Sequence, residues 1–169
     1  PSLNGYELDE LSCDGLDNDC DARVDETLAQ PLSLSQEGVC VGARQTCQGA
    51  LGWVEPEYSM IADYEESEAT CDGLDNDCDL EVDESLNPPQ ARLQNGVCSG
   101  SLKVCNGEAG WVEPAYTLLS DYEFNEISCD GIDNDCDRKV DESLDAPLGS
   151  TQAGVCAGLR QVCEDASGW

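Results

Sequence analysis

The sequence contains no histidine. That absence excludes Ser-His-Asp triads and other His-based acid–base pairs. It also removes the commonest nitrogen ligand for zinc and copper. Large apolar residues are scarce, with one Phe, one Met and three Trp in 169 residues. A single hydrophobic core of ordinary size cannot be built from that inventory. Basic residues are scarce as well, 7 Lys+Arg against 37 Asp+Glu, giving a net charge of -30. Such a chain repels itself, and it repels nucleic-acid phosphates and anionic membrane surfaces, so multivalent cations are its natural partners. No apolar run is long enough to span a bilayer and no signal-peptide pattern is present, so no membrane insertion is expected. No phosphate-binding loop, nucleophile elbow or Asn-x-Ser/Thr sequon occurs. Paired carboxylates could serve a glycosidase, but here they stand in repeated ladders that suit ion binding better, and the chain reads as a non-enzyme.

Cysteine is abundant: there are 12, an even number at regular spacing, with no Cys-x-x-Cys pair. This pattern predicts a disulfide framework in an extracellular or cell-surface protein, rather than a thiolate zinc site. The spacing also exposes an internal repeat. Cys-Asp-Gly-Leu-Asp-Asn-Asp-Cys-Asp starts at Cys13 and Cys71, and returns with Ile for Leu at Cys129, a period of 58 residues both times. A second block keeps the same period: Gly38-Val39-Cys40, Gly96-Val97-Cys98 and Gly154-Val155-Cys156, each followed by Cys47, Cys105 or Cys163 and then by Trp53, Trp111 or Trp169. The expected repeats are 1–58, 59–116 and 117–169, the last five residues short, so the chain reads as a window on a continuing array. Equal periods without insertions suggest that repeat-to-repeat geometry matters.

Local signals are modest. Asp, Asn and Gly make the acidic block a turn-rich loop, and Val24–Leu28 is expected to form one short helical turn. Val97-Cys98, Leu102–Cys105 and Trp111-Val112 predict a small meander of two or three strands, with Gly42, Gly100 and Gly158 at its first turn. The stretch 59–70 is compatible with a short helix or an extended linker. The recurrent Trp residues read as mini-core packing, with a sugar- or subunit-binding platform as the sharper alternative. The expected fold class is small disulfide-rich, calcium-stabilised tandem repeats, mostly loop with a short β-hairpin or meander per repeat, in an elongated array.

The acidic block carries the chemistry. Counting Asp17 as position one, carboxylates stand at positions one, three, five, nine and ten: Asp17, Asp19, Asp21, Asp25 and Glu26. EF-hand-type calcium loops draw ligands from alternating positions, because a chain bent around an ion turns every second side chain inward, and position seven contributes a backbone carbonyl. Here position seven is Arg23, Glu81 or Lys139, whose side chains are free to vary. The equivalent ligands are Asp75, Asp77, Asp79, Asp83 and Glu84, then Asp133, Asp135, Asp137, Asp141 and Glu142, and Asp14, Asp72 and Asp130 are candidates for a further oxygen or a second ion. Two departures distinguish the loop from an EF-hand. Position six is Ala22, Leu80 or Arg138 where a sharp turn favours Gly, and position twelve is Leu28, Leu86 or Leu144 where a bidentate Glu belongs. Calcium, at least one ion per repeat, is the expected cofactor.

Cys-Asp-Gly-x-Asp-Asn-Asp-Cys-Asp-x-x-Val-Asp-Glu resembles the metal-binding motif of MopE-type bacterial surface proteins and is similar to the acidic loops of thrombospondin type-3 repeats. The Gly-Val-Cys block resembles segments that accompany the bacterial motif. The resemblance covers most of each repeat and implies secretion, metal binding and large multi-repeat surface proteins, with no reaction. It supports Asp17, Asp19, Asp21, Asp25 and Glu26 and their equivalents, and the association of one family member with copper keeps copper as a minor alternative. The Gly that usually follows the aspartate ladder in that family is missing here.

Each repeat has four cysteines, which allows three pairings. Equal separations favour the local pairs Cys13–Cys20, Cys40–Cys47, Cys71–Cys78, Cys98–Cys105, Cys129–Cys136 and Cys156–Cys163, with pairing between the two blocks as the main alternative and pairing between repeats as the least expected. The functional expectation is an extracellular calcium-binding structural protein that forms or rigidifies a surface fibre. A stiffened spacer of a large adhesin and a metal scavenger are the alternatives. Partners would be neighbouring repeats or copies of the chain in a filament, with surface glycans as a further candidate.

Overall fold

The computed structural model describes residues 5–169, so the first four residues of the first expected repeat lie outside it. Among the described residues there is no α-helix. Regular structure is limited to four two-residue strands and a series of single 3-10 turns: β1 (Thr46–Cys47), β2 (Trp53–Val54), β3 (Val104–Cys105) and β4 (Trp111–Val112). β1 pairs antiparallel with β2, placing Cys47 opposite Trp53, and β3 pairs with β4, placing Cys105 opposite Trp111. Isolated bridges Leu32–Arg44, Gln90–Leu102 and Leu148–Arg160 add one rung ahead of each hairpin position. The fold is therefore disulfide-rich repeats, mostly loop, with short antiparallel strand pairs.

The chain divides into two compact units, Pro1–Leu86 and Asn87–Trp169, which cut across the repeat bounds. The first contains an acidic loop, a meander and a second acidic loop. The second contains a meander, an acidic loop and a meander. Among the described residues, neither unit has an apolar core of ordinary kind. The buried apolar residues are Cys40, Cys71, Ala91, Cys98 and Cys136, outnumbered by buried Glu10, Asn18, Ser33, Glu68, Asp75, Asn76, Glu126, Asp133 and Asn134. Order must then come from crosslinks and polar contacts, as scarcity of large apolar residues implies.

The crosslinks differ from the expected local pairs. Cys13 bonds Cys47 and Cys129 bonds Cys163, joining the acidic loop to the hairpin of its own repeat. Cys40 bonds Cys78 and Cys98 bonds Cys136, joining a meander to the acidic loop of the following repeat. Cys71 and Cys105 are disulfide-bonded as well, while Cys20 and Cys156 are free thiols. None of the local pairs Cys13–Cys20, Cys40–Cys47, Cys71–Cys78, Cys98–Cys105, Cys129–Cys136 or Cys156–Cys163 is formed. The reason lies in the loop path. Cys129 and Cys136 flank a segment curled back on itself, with Cys136 in the left-handed region at φ 66°, so the two sulfurs serve different neighbours, Cys163 and Cys98. The observed bonds span 34 and 38 residues and close larger loops than the expected pairs would. By chain entropy each contributes about 4 kcal/mol, against roughly 2.5 kcal/mol for the short loops.

Two other expectations change. Val24–Leu28 makes no helical turn, because Asp25 and Thr27 adopt φ of 55° and 54°. Val97-Cys98 belongs to a 3-10 turn, Gly96–Cys98, instead of a strand. The glycines at the first meander turn are there for conformation: Gly42, Gly100 and Gly158 have φ of 84°, 81° and 85°. The stretch 59–70 forms turns, stitched by Glu65, whose carboxylate accepts the N–H groups of Ala69 and Thr70. Tyr58 stacks on Tyr64 with centroids 5.8 Å apart, and Tyr116 on Tyr122 at 5.9 Å. Trp53 and Trp111 are half-buried, and Trp169 is 40% exposed.

Candidate metal centre

Each acidic loop is closed by its own carboxylates. Asp17 accepts the N–H groups of Asp21 and Ala22 at 3.1 and 2.9 Å. Asp75 does the same with Asp79 and Leu80, and Asp133 with Asp137 and Arg138. Further along the ladder, Asp21, Asp79 and Asp137 each take the N–H two residues ahead, from Arg23, Glu81 and Lys139, at 2.9 Å. This short-range capping curls the chain with left-handed residues at Cys20, Ala22, Asp25 and Thr27 and at the equivalent positions of the other loops. Ala22, Leu80 and Arg138, at φ of 76°, 86° and 82°, make the sharp turn that glycine makes in an EF-hand. Left-handed residues other than glycine cost about 1–2 kcal/mol each, so the loop is held by more than its own preference.

The curl gathers oxygens. In the first loop, carboxylate oxygens of Glu10, Asp17 and Asp19 lie within 4.8 Å of one another, as do those of Asp19, Asp21 and Glu26. Asp19 is common to both sets. Glu10 was not evident as a ligand from the motif, although Glu68 and Glu126 repeat it at the same period. Its role is visible only in three dimensions: the Glu10, Glu68 and Glu126 carboxylates accept the N–H groups of Asn18, Asn76 and Asn134 at 2.6, 2.8 and 2.9 Å and are buried there.

Asp25 has a different position. Its two oxygens accept the N–H groups of Asp14 and Gly15 at 3.0 Å, and Asp83 and Asp141 do the same with Asp72–Gly73 and Asp130–Gly131. These carboxylates pin the entrance of the loop. Asp14, Asp72 and Asp130 face the N–H groups of Leu16, Leu74 and Ile132 at 2.9 Å, closing tight turns outside the cluster.

Several cluster oxygens are buried with no hydrogen-bond donor: Glu26 Oε2, Glu84 Oε2 and Glu142 Oε2, then Glu68 Oε2, Glu126 Oε2 and Asp77 Oδ1, and the Oδ1 atoms of Asn18, Asn76 and Asn134. All are acceptors. A buried acceptor without a partner costs about 1–3 kcal/mol, and a set composed only of oxygens is the donor set of a hard cation. The carboxylates also strain one another. Burial raises the pKa of Glu68 above the ordinary value, against the Asn76 N–H bond, and repulsion from Glu84 and Asp77 adds to it. Glu126 is raised for the same reasons, with Glu142 and Asp135 as its neighbours. Glu26 is raised although its own backbone N–H pulls the other way, because desolvation and the charges of Asp21, Glu10 and Asp19 together outweigh that bond. The third loop differs in one respect: Lys139 Nζ lies 2.6 Å from Asp137 Oδ2, an exposed pair that lowers the Asp137 pKa.

The Cu-binding MopE family, described as a putative metal-binding motif, matches residues 7–26, 65–84 and 123–142, three 20-residue segments of the 169. The chain carries three MopE-type metal-binding motifs. Each matched segment runs from the glutamate that staples the incoming chain, Glu7, Glu65 or Glu123, to Glu26, Glu84 or Glu142 with its unpartnered Oε2, and so encloses the whole cluster including Glu10, Glu68 and Glu126. The MopE-type segments thus contain the acidic loops and the residues leading into them, while the meanders fall outside the matches. No curated protein and no solved structure matches the chain. Among the described residues, no helix is long and apolar enough to cross a membrane.

Proposed function

We propose that each acidic loop holds a calcium ion, and that the chain is a non-enzymatic, extracellular structural segment which builds or stiffens a surface fibre. The observation that carries the reading is the unpartnered, buried oxygen of Glu26, Glu84 and Glu142, found at the same place in all three loops. The ligands would be Asp17, Asp19, Asp21, Glu26 and Glu10, with their period equivalents. Asp25, Asp83 and Asp141 hold the loop entrance. The donor set favours calcium over copper or zinc, since it is all oxygen, histidine is absent and ten of the twelve thiols are in disulfides. A divalent ion cancels the mutual repulsion of the glutamates and gives the left-handed loop residues their compensation. Disulfide density supports an oxidising, extracellular setting.

Calorimetric titration of the metal-stripped, oxidised chain tests this. The expected result is saturable uptake of one calcium per MopE-type motif, with magnesium a poor substitute because the crowded site cannot impose its small octahedral shell. No uptake at millimolar calcium, or copper(II) displacing calcium at equal concentration, would overturn calcium as the resident ion.

A further inference from the structure

The carboxylate ladder alternates two kinds of residue. In the second loop the odd positions are Asp75, Asp77 and Asp79, and Asn76 and Cys78 stand between them. The third loop repeats this with Asp133, Asp135 and Asp137 around Asn134 and Cys136. The odd positions supply oxygens to the proposed ion site. The even positions tie the ladder to other segments. Asn76 is 1% exposed, its Nδ2 donates to the Asp63 carbonyl at 2.7 Å, and its N–H holds Glu68. Cys78 is bonded to Cys40 of the preceding repeat, and Cys136 to Cys98. Each junction sulfur thus emerges from the middle of a ligand ladder.

The preceding repeat also covers the first carboxylate of each ladder. The Val39 N–H donates to the Asp75 carbonyl at 3.0 Å, and the Val97 N–H to the Asp133 carbonyl at 3.1 Å. A Cβ on Gly38 would strike the Asp75 carbonyl and stand 2.6 Å from Asp75 Cγ, and one on Gly96 would strike the Asp133 carbonyl and stand 2.6 Å from Asp133 Cβ. Asp75 and Asp133 are buried, yet their carboxylates still hold the N–H groups four and five residues ahead. The clamp leaves three acceptors of the second loop open: Glu68 Oε2, Asp77 Oδ1 and Glu84 Oε2. Crowded carboxylates oppose closure of the loop. A turn bonded into the ladder holds it closed before an ion arrives, which lowers the ordering cost of binding. Burial of the first carboxylate strengthens its pull on a cation.

We propose that the turn of the preceding repeat is a positioning element of the ion site in the next: Gly38 and the Cys40–Cys78 bond raise the calcium affinity of the loop at Asp75–Glu84, and Gly96 and the Cys98–Cys136 bond that of the loop at Asp133–Glu142. This rests on the calcium reading and adds a redox regulation of its sites. Coupling between two equilibria is reciprocal. Calcium therefore holds the two junction disulfides oxidised, and their reduction loosens calcium. The reductant is a dithiol. One of its thiolates attacks a junction sulfur and the other displaces the resulting mixed disulfide. Two electrons and two protons pass to the protein, whose disulfide becomes two thiols while the dithiol closes to a cyclic disulfide. The bonds Cys13–Cys47 and Cys129–Cys163 enter ahead of the ladder and carry much less of the coupling.

The test equilibrates the unaltered chain, its free thiols blocked, with mixtures of reduced and oxidised dithiothreitol, in calcium and in chelator. Thiols released are trapped with iodoacetamide and located by peptide mass mapping. Calcium should shift the reduction equilibrium of Cys40–Cys78 and Cys98–Cys136 toward the disulfide by about tenfold, and that of Cys129–Cys163 by much less. Calorimetric calcium titration of glycine variants supplies the second readout. Gly38→Ala and Gly96→Ala keep every sulfur and carboxylate but push a methyl group into the junction, and each should weaken one site by about tenfold with the ion count unchanged. Gly42→Ala and Gly100→Ala carry left-handed strain in open space and should titrate like the unaltered chain. Equal protection of hairpin and junction bonds, or junction variants that titrate like these controls, would overturn the coupling and leave calcium in place. No calcium uptake by the unaltered chain would overturn both readings.

Discussion

The acidic loops at 13–26 and 71–84 have nearly the same sequence and different surroundings. Among the described residues no meander turn lies on the first, where Asp17 is half-buried and Cys20 exposed, whereas the second lies under Gly38–Cys40, with Asp75 only 6% exposed and Cys78 in a disulfide. Their backbones hardly differ. Cys20 and Cys78 have φ of 66° and 65°, Asp25 and Asp83 of 55° and 56°, Thr27 and Ser85 of 54° and 52°. The shape of the loop is therefore set by its own carboxylate-to-amide bonds, while its burial and covalent anchoring come from the preceding repeat. A loop that keeps its geometry undocked is not a segment folded by its neighbour.

That comparison can be broken at several points. The largest effect is expected from removing the junction crosslink. Cys40→Ser with Cys78→Ser should lower stability to denaturant by about 4 kcal/mol, the chain-entropy value of a loop of this length. Cys20→Ser, in the undocked loop, should change it by less than about 0.5 kcal/mol, as exposed substitutions do. Next is the turn glycine. Gly38→Ala drives a methyl group into the Asp75 carbonyl and should cost about 3 kcal/mol, whereas Gly154→Ala, with open space around it, should cost about 1 kcal/mol for the left-handed backbone alone. Equal losses at both sites would mean that the turn, and not the junction, carries the stability.

Smaller effects sharpen the view that the loop shape is local. Leu80→Gly and Ala22→Gly relieve a left-handed side-chain clash and loosen the unfolded chain at once, so each should gain roughly 0.5–1 kcal/mol. The gains should be equal in the docked and undocked loops, measured as shifts in urea midpoint. A gain in only one would show that docking dictates the turn.

The smallest effect concerns the meander. The Tyr58 hydroxyl donates to Glu55 at 2.7 Å, and that bond, with those from the Leu34 N–H and Gln45, lowers the Glu55 pKa. Glu113 is lowered likewise by Tyr116 and the Arg92 N–H. A carboxylate depressed by folding stabilises the fold above its ordinary value, and that contribution is lost as pH falls through the depressed one. Acid titration should therefore weaken the tyrosine near-ultraviolet dichroism in the acidic range below the ordinary glutamate value. Glu55→Gln and Glu113→Gln should remove that dependence.

Much of this protein was legible in the sequence. The 58-residue period located the loops and the meanders, the glycines at 42, 100 and 158 marked real turns, and the alternation from Asp17 to Asp21 marked the oxygen cluster. These features rest on neighbours close in the chain, where spacing and side-chain chemistry act directly. Residues whose role depends on distant segments were not legible. Glu10, Glu68 and Glu126 repeat with the motif but precede it, and only the curl of the loop brings them to Asn18, Asn76 and Asn134. Asp25 has ladder spacing, yet the return of the chain puts it on the amides of Asp14 and Gly15.

The sequence by itself determined that the chain is a three-fold repeat ordered by cysteine and acidic oxygen, because so few large apolar residues leave no other source of order. Only the tertiary structure decided which sulfurs meet. Equal separations point to the local pairs Cys13–Cys20 and Cys40–Cys47, because spacing registers only neighbours along the chain. The left-handed backbone at the end of the loop separates its two sulfurs, so that Cys129 meets Cys163 of its own repeat and Cys136 meets Cys98 of the preceding one.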